Sequence, residues 1–467
     1  MQQQANHTFL WHDYETWGVH PGKDRPAQFA AIRTDMDLNI IGEPMEYFCK
    51  LAPDYLPKPE AMLVTGITPQ QANQQGDVEA LFINKVHQQM SHPNTCVVGY
   101  NSIRFDDEVT RYTLYRNFFD PYEREWKDGN SRWDLIDLVR ACYALRPEGI
   151  HWPTDANGVP SFRLELLTQA NGIGHANAHD AVADVVATIE MAKLVKKAQP
   201  RLFDYALKLR RKQAAAAALD VLNMAPVVHI NSRYGSVQGC ASIAAPMIHH
   251  PRNQNGVVML NLAADISPIL DLSADELKQH LYTRNSEVKV PITQLALNKC
   301  PIVAPANSLS DDNAERLGID KPLARKNYQV LQQHKNEIRE KIGQLFEDER
   351  EFEANQDPDL MLYSGGFFSD ADKSKMSLIR NTEPRNLAAL SLQFDDSRLQ
   401  DMLFRYRARN FPEGLSHDET LRWGEFCKQR LNDPDYVMNL QQLMENARSN
   451  PRNQGLLSQL ALYLQSL

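Results

Sequence analysis

No stretch of this chain is apolar for long enough to cross a bilayer, and the opening MQQQANH lacks the basic-then-apolar layout of a secretion signal. A cytoplasmic protein with no membrane partner is the expectation. Cysteine is scarce and scattered: Cys49, Cys96, Cys142, Cys240, Cys300 and Cys427 form no CxxC pair, which argues against a zinc knuckle or redox dithiol and for reduced core thiols. No fixed repeat period is present, and the alanine run at 214–218 is the sole low-complexity tract, so a solenoid is excluded. Excess positive charge is missing too. With 50 Lys and Arg against 59 Asp and Glu, the net charge of −9 disfavours a protein that coats nucleic acid indiscriminately, yet leaves room for a locally basic groove.

One local exception exists. Lys193, Lys196, Lys197, Arg201, Lys208, Arg210, Arg211 and Lys212 are countered within their stretch by a single acid, Asp204. The stretch reads either as a solvated helical face or as a platform for phosphates or an acidic protein tail.

The 467 residues, 43% hydrophobic and 23% charged, suit a soluble globular protein of roughly three domains. Residues 8–51 hold three strand-like runs, TFLWHDYE, AQFAAIRT and MEYFCKL, separated by turn residues, which predict an antiparallel meander. A helix is predicted after Thr68-Pro69, with Thr68 as N-cap and Pro69 at the first helical position. TCVVGYN, residues 95–101, reads as a buried strand followed by a helix over 107–118. After SRWDLIDLVRACYAL, the segment 181–197 is helical, with Val182, Val185, Val186, Ile189 and Ala192 assigned to one face. Meander, helix, strand, helix, helix is the order of a ribonuclease H-like α/β domain. KKAQPRLFDY, near residue 200, marks a boundary; PVVHI, NGVVMLNLA and VKVPITQLALN then predict a small β-barrel or sandwich. From Ala314 onward helical spacing takes over, and a second boundary near 353 leaves an all-helical remainder. The predicted domains are 8–199, 200–352 and 353–467.

Within TFLWHDYETWG, two acids, Asp13 and Glu15, stand two residues apart. On a strand they would share a face, and like charges so close repel. Either the strand ends near Trp11 and both acids are solvated, or they ligate a divalent cation with acids from elsewhere. A two-metal site for phosphoryl transfer needs about three or four carboxylates. Asp106 and Asp107 follow the buried strand at a helix start, where acids also complement the helix dipole, the reading favoured for Asp107 and Glu108. Asp184, in NAHDAVAD, lies opposite the valine stripe and faces solvent or a cleft. His179 precedes that helix, with Asp180 as its N-cap; an imidazole with an ordinary pKa near 6.5 beside bound metal suits a general base.

Asp13-x-Glu15, Asn101-x-x-x-Phe105-Asp106 and His179-x4-Asp184 together resemble the DEDDh exonuclease family, whose catalytic domain is ribonuclease H-like. More narrowly, FLWHDYETWGVHP, DRPAQFAAIRTD, RFDDEVTR, ACYALRPEGI, NAHDAVADV, GFFSDAD and YRARNFP are similar to the bacterial exonuclease I family and span residues 9–412. The resemblance implies a hydrolase that degrades single-stranded DNA processively from 3′ to 5′, releases 5′-mononucleotides with two Mg²⁺ ions, and serves DNA repair and recombination. By motif, Asp13, Glu15, Asp106 and Asp184 would bind metal and His179 would be the base; Asp106 is preferred to Asp107 on the family pattern alone. One metal, at Asp13 and Asp184, would orient water, and the other, near Glu15 and Asp106, would steady the leaving oxygen. Glu15 and Arg163, in SFRLELL, would bind substrate, while Arg111, Trp126 and Arg140 match positions that contact the strand. The middle domain would be SH3-like, and with the helical one it would close a ring around the strand. The basic stretch would dock the acidic C-terminal tail of single-stranded DNA-binding protein, and a monomer is expected.

Other features are set aside. Asp134 and Asp137 read as structural, and His249-His250 has no partner ligands at metal spacing. Two rivals stand beside the main reading: an exonuclease of RNA 3′ ends, and a catalytically inert strand-binding module. The full acid-and-histidine set argues against the second, because a binder has no use for carboxylates that repel one another and DNA.

Overall fold

The computed structural model describes residues 7–174, 180–347 and 355–466. They divide into two compact units: 7–131, 180–186 and 355–466 form one, and 132–174 and 187–347 form the other.

In the first unit, β1 Thr8–Thr16, β2 Pro26–Thr34 and β3 Met45–Phe48 make the antiparallel meander, and β4 Thr95–Gly99 joins parallel to β1 on its far side. The order is β3-β2-β1-β4. Pairing on both edges explains why Phe9, Leu10 and Trp11 are wholly buried. The β1–β4 ladder ends at Trp11 opposite Val98, but β1 continues along β2, with Asp13 opposite Ala30 and Glu15 opposite Gln28. The strand therefore does not stop near Trp11, and the reading of both acids as solvated loop residues fails.

Helices α1 Pro59–Thr65 and α2 Pro69–Gln75 follow, the second capped as expected by the Thr68 hydroxyl, which accepts from the Gln71 amide at 3.2 Å. Helices α3 Glu79–Met90 and α4 Asp106–Arg116 cover one face of the sheet, where Leu10, Tyr14 and Phe29 pack with Phe82, Val86, Val109 and Leu114. Residues of β1 that alternate with Leu10 and Tyr14, including Asp13 and Glu15, point to the opposite face.

The second unit contains α5 Leu135–Leu145 and α6 Leu164–Ala170. Helix α7 Ala181–Ala198 begins in the first unit. Its buried face is Ala181, Val185, Ile189 and Ala192, while Val186 is 37% exposed and Val182 partly so. The predicted stripe included two residues too many, Val182 and Val186, which sit about 100° around the helix from it. Five strands of the second unit, β6–β10 once Ser131–Asp134 is numbered β5, are Val227–Ile230, Ala241–His249, Gly256–Asn261, Ile292–Ala296 and Ile302–Pro305. They pair antiparallel throughout in the order β10-β6-β7-β8-β9 over a core that includes Val227, Val257, Met259 and Val303.

The described residues from 355 onward hold helices and no strand, as predicted; the expected junction at 353 lies outside the described residues. These helices pack on the first unit's own core, where Met376, Ile379, Leu399 and Met402 meet Tyr115 and Phe118, and Leu440, Leu457 and Leu460 meet Trp17, Met62 and Ala72. Buried charge adds to this apolar contact. Arg409 donates through Nε and Nη2 to both Asp54 oxygens at 2.9–3.1 Å and also bonds Asp359, while Arg25 reaches Asp54 at 3.9 Å and Glu79 at 3.5 Å. Glu79 further binds Arg116 at 3.0 Å and the Asn117 amide at 2.9 Å.

Burial alone would raise these carboxyls, but Arg409 and Arg25 hold Asp54 down to about 2, and Arg116 and Arg25 do the same for Glu79. Depressed carboxylates stabilise the fold above the unfolded value near 4, and that contribution is lost as pH falls towards 2. Arg409→Ala removes the main partner of two buried carboxylates, Asp54 and Asp359, and should cost about 3–5 kcal/mol. Chemical denaturation at pH 7 measures the cost, and the deficit against the parent protein should shrink as pH is taken below 4. A loss under 1 kcal/mol at pH 7 would contradict this account.

Candidate active site

Asp13 and Glu15 reach one face of β1 because the strand stays in regular register with β2 through Glu15. Asp184 arrives from the first turn of α7, whose N-terminus is fixed by Asp180: its Oδ1 accepts from the Ala183 amide at 3.0 Å, the cap that the sequence predicted. One carboxylate oxygen from each of Asp13, Glu15 and Asp184 lies within 4.8 Å of the other two. Among the described residues this is the one grouping of three or more acid, histidine or cysteine side chains able to surround an ion.

Asp106 stands just outside that grouping, at the start of α4. Asn101, in the left-handed conformation at φ 62°, turns the chain from β4 towards this helix, a geometry that asparagine tolerates better than most residues. The Asp106 Oδ1 accepts from the Tyr14 amide, between the two β1 acids, at 3.2 Å. Asp107 turns away into a buried pair with Arg124 at 2.8 Å, and Glu108 pairs with Arg111 at 2.9 Å. The two adjacent aspartates that spacing could not separate thus have different partners: backbone beside the acid cluster for one, a guanidinium for the other. Tyr14 was missed by sequence reasoning, since its side chain faces the core and only its amide serves the site.

The electrostatics are those of crowded acids. Burial, then the charges of Asp106, Glu15 and Asp184, raise Asp13 well above the ordinary carboxyl range. Glu15, 8% exposed, is pushed up to about 8 by burial and then by Asp184, Asp106 and Asp180. An all-oxygen donor set of like charges fits a hard divalent cation. His12 does not join it: the ring is on the core side of β1, Nδ1 lies 2.9 Å from the Val98 carbonyl, and burial lowers its pKa to about 4. His179 lies outside the described residues.

The remaining predicted contacts differ in availability. Trp126 is 66% exposed, and the Arg163 side chain 70%, beside Glu165. Arg111 is buried and bonded to Glu125, Glu108 and Tyr363, and Arg140 pairs with Asp137 at 2.7 Å. Asp134 caps α5, accepting from the Ile136 amide at 3.1 Å, as a structural residue would; His249 is exposed and His250 packs on Phe346. Five of the six cysteines are buried in the core.

Residues 10–192 match the family model Exonuclease, 210–348 the Exonuclease I SH3-like domain and 356–467 the Exonuclease I C-terminal domain. The chain is 49% identical over 467 residues to exodeoxyribonuclease I of Escherichia coli K12, covering 98% of each. The chain belongs to the exonuclease I family. Its fold is accordingly a ribonuclease H-like exonuclease domain, an SH3-like domain and a helical C-terminal domain. The zinc-bound crystal structure of the E. coli ExoI–ssDNA complex superposes with a TM-score of 0.95 at 49% identity, covering 99% of both chains. An ExoI/SSB-Ct complex superposes at 0.93 with 48% identity, covering 98% of this chain and 99% of the other. No described helix is long and apolar enough to cross a membrane.

Raised carboxyl pKa values mean that ionising Asp13 and Glu15 opposes folding, so the metal-free protein loses stability as pH rises from about 4 through 8. A bound divalent cation removes that penalty. The melting temperature should therefore rise more on adding Mg²⁺ at pH 8 than at pH 5, with proton release on binding detectable by calorimetry at pH 7. Equal shifts at both pH values would contradict the ionisation pattern.

Proposed function

We propose that this protein is a Mg²⁺-dependent exodeoxyribonuclease that removes 5′-mononucleotides processively from the 3′ end of single-stranded DNA, in DNA repair and recombination. The observation that carries the reading is the gathering of Asp13, Glu15 and Asp184 within 4.8 Å on a chain of this family. These three, with Asp106 beside them, would hold two Mg²⁺ ions, which when bound supply positive charge to the phosphoryl group and acidify water. His179 takes the proton of the attacking water. The water oxygen bonds to phosphorus as the phosphorus–O3′ bond breaks, so the phosphate stays on the 5′ side of the released nucleotide and the shortened strand regains a 3′-hydroxyl. Glu15 and Arg163 bind the terminal nucleotide, and Arg111, Trp126 and Arg140 line the strand. Trp126, the aromatic of the set, is 66% exposed and suited to stacking on bases without reading sequence. The domains are taken as 8–199, 200–352 and 353–467, in a monomer that works in the cytoplasm.

A second partner is supported by the basic stretch. On helix Pro200–Leu209, Phe203, Ala206 and Leu209 are buried while Arg201 and Lys208 are exposed. Arg201 and Arg146 line a groove of about 490 Å³ with Leu145, Leu202, Tyr205 and Pro305. Two guanidinium groups over an apolar floor suit an acidic tail that carries apolar side chains, here the C-terminal tail of single-stranded DNA-binding protein.

Digestion of a 5′-labelled single strand beside its duplex and RNA versions tests the class directly. A ladder shrinking from the 3′ end for single-stranded DNA alone is expected, and degradation of RNA at a similar rate would favour the RNA rival. Asp184→Ala should abolish turnover while oligonucleotide binding survives, and His179→Ala should slow it by roughly 10²-fold or more. Turnover by Asp184→Ala in Mg²⁺ would contradict the assignment.

A further inference from the structure

Asp106 sits at the first turn of α4 while Asp13 and Glu15 lie on a paired strand, so its place beside them depends on where that helix is held. Like charges on Asp106, Asp13 and Glu15 repel at close range, so keeping the start of α4 beside β1 needs bonds that hold it there. Two hydrogen bonds tie the helix to β1. The Tyr14 amide donates to Asp106 Oδ1 at 3.2 Å, and the Thr110 hydroxyl donates to the Tyr14 hydroxyl oxygen at 3.1 Å.

On another face of the same helix, Glu108 and Arg111 form a pair at 2.9 Å, and Arg111 grips Glu125 through Nε at 2.7 Å and Nη2 at 2.9 Å. Into this pair reaches Tyr363, from the helical C-terminal segment. Arg111 Nη1 donates to its hydroxyl oxygen at 3.0 Å, and the hydroxyl donates to Glu108 Oε2 at 2.5 Å. Burial holds this hydroxyl above the ordinary phenol value, so it stays a donor at neutral pH. The Tyr363 ring, though 54% exposed, is braced edge-on against Tyr112 of α4, with centroids 5.9 Å apart. One turn on, the Tyr115 hydroxyl donates to the Pro358 carbonyl at 3.1 Å, a second hold from the same segment.

We infer that Tyr363 is a positioning residue for the metal site: by bridging Glu108 and Arg111 it ties the first turns of α4 to the C-terminal segment, and so fixes the place of Asp106 beside Asp13 and Glu15. The C-terminal segment thereby tunes the affinity of the acid cluster for divalent cations without touching them. Residues that orient metal ligands from outside commonly change metal affinity by 10–100-fold when altered.

The inference rests on the exonuclease reading only for its rate measurement. In the full-length chain, Tyr363→Phe keeps the ring and removes the bridge. Calorimetric Mn²⁺ affinity should fall about 10-fold, and the Mg²⁺ concentration for half-maximal degradation of single-stranded DNA should rise by a similar factor. The oligonucleotide KM at saturating Mg²⁺ should be unchanged, and the melting temperature of the metal-free protein should move by less than about 3 °C. Glu108→Gln, which weakens the same bridge from its acceptor side, should show the same pattern. Unchanged Mn²⁺ affinity in both variants overturns the inference. A raised KM with an unchanged metal requirement also overturns it, making Tyr363 a strand contact instead. A parent protein that binds Mn²⁺ but leaves the strand intact would defeat the exonuclease reading while the calorimetric comparison still judged the clamp.

Discussion

Repulsion among carboxylates is the constraint from which the rest of this structure follows. At 4.8 Å and an effective dielectric near 20, each ionised pair among Asp13, Glu15 and Asp184 costs about 3.5 kcal/mol. That exceeds the roughly 0–1 kcal/mol returned by an exposed ion pair, so surface pairing cannot hold such a cluster together. Two things can: divalent cations, which turn repulsion into ligation, and a scaffold rigid enough to keep the acids in place before cations arrive. The scaffold is visible in the hydrogen-bonded register of β1 with β2 and in the Asp180 cap that fixes the start of α7.

The helical C-terminal segment belongs to that scaffold. YRARNFP, one of the stretches that most narrowly marks the family, contains Arg409, clamped on Asp54, and Asn410, whose side-chain oxygen accepts from the Ala80 amide at the start of α3. GFFSDAD contains Ser369, the cap of helix Asp370–Asn381. In this chain these motifs serve structural roles that differ from the role of the acids. Charged partners buried on both sides make the joint between catalytic sheet and helical segment specific, since either partner alone would be an unpaired buried charge.

Much of this was legible beforehand, for identifiable reasons. The meander and β4 were readable because period-2 apolar runs were bounded by turn residues, and the Thr68 cap because Thr-Pro is a local signal. The Asp13–Glu15 spacing named a shared face but could not say where the strand ended, since that depends on pairing with β2, which is a tertiary fact. Asp106 and Asp107 were inseparable for the same reason: Tyr14 and Arg124, which distinguish them, lie 92 and 17 residues away. Val186 was misassigned because apolar identity was read as burial, and a single exposed valine carries no signal. The clamp at Tyr363 is 255 residues from Glu108 and left no local pattern at all.

Function, on this account, is a consequence of charge placed against charge: a site that is unfavourable when empty binds hard cations, and cations so held act on a phosphodiester. The most direct measurement is anomalous diffraction from crystals of the protein soaked in Mn²⁺. The account predicts two peaks about 3.5–4 Å apart in contact with carboxylates of Asp13, Glu15, Asp184 or Asp106. Full soaking with no peak at these residues, or peaks only at unrelated surface acids, would contradict it.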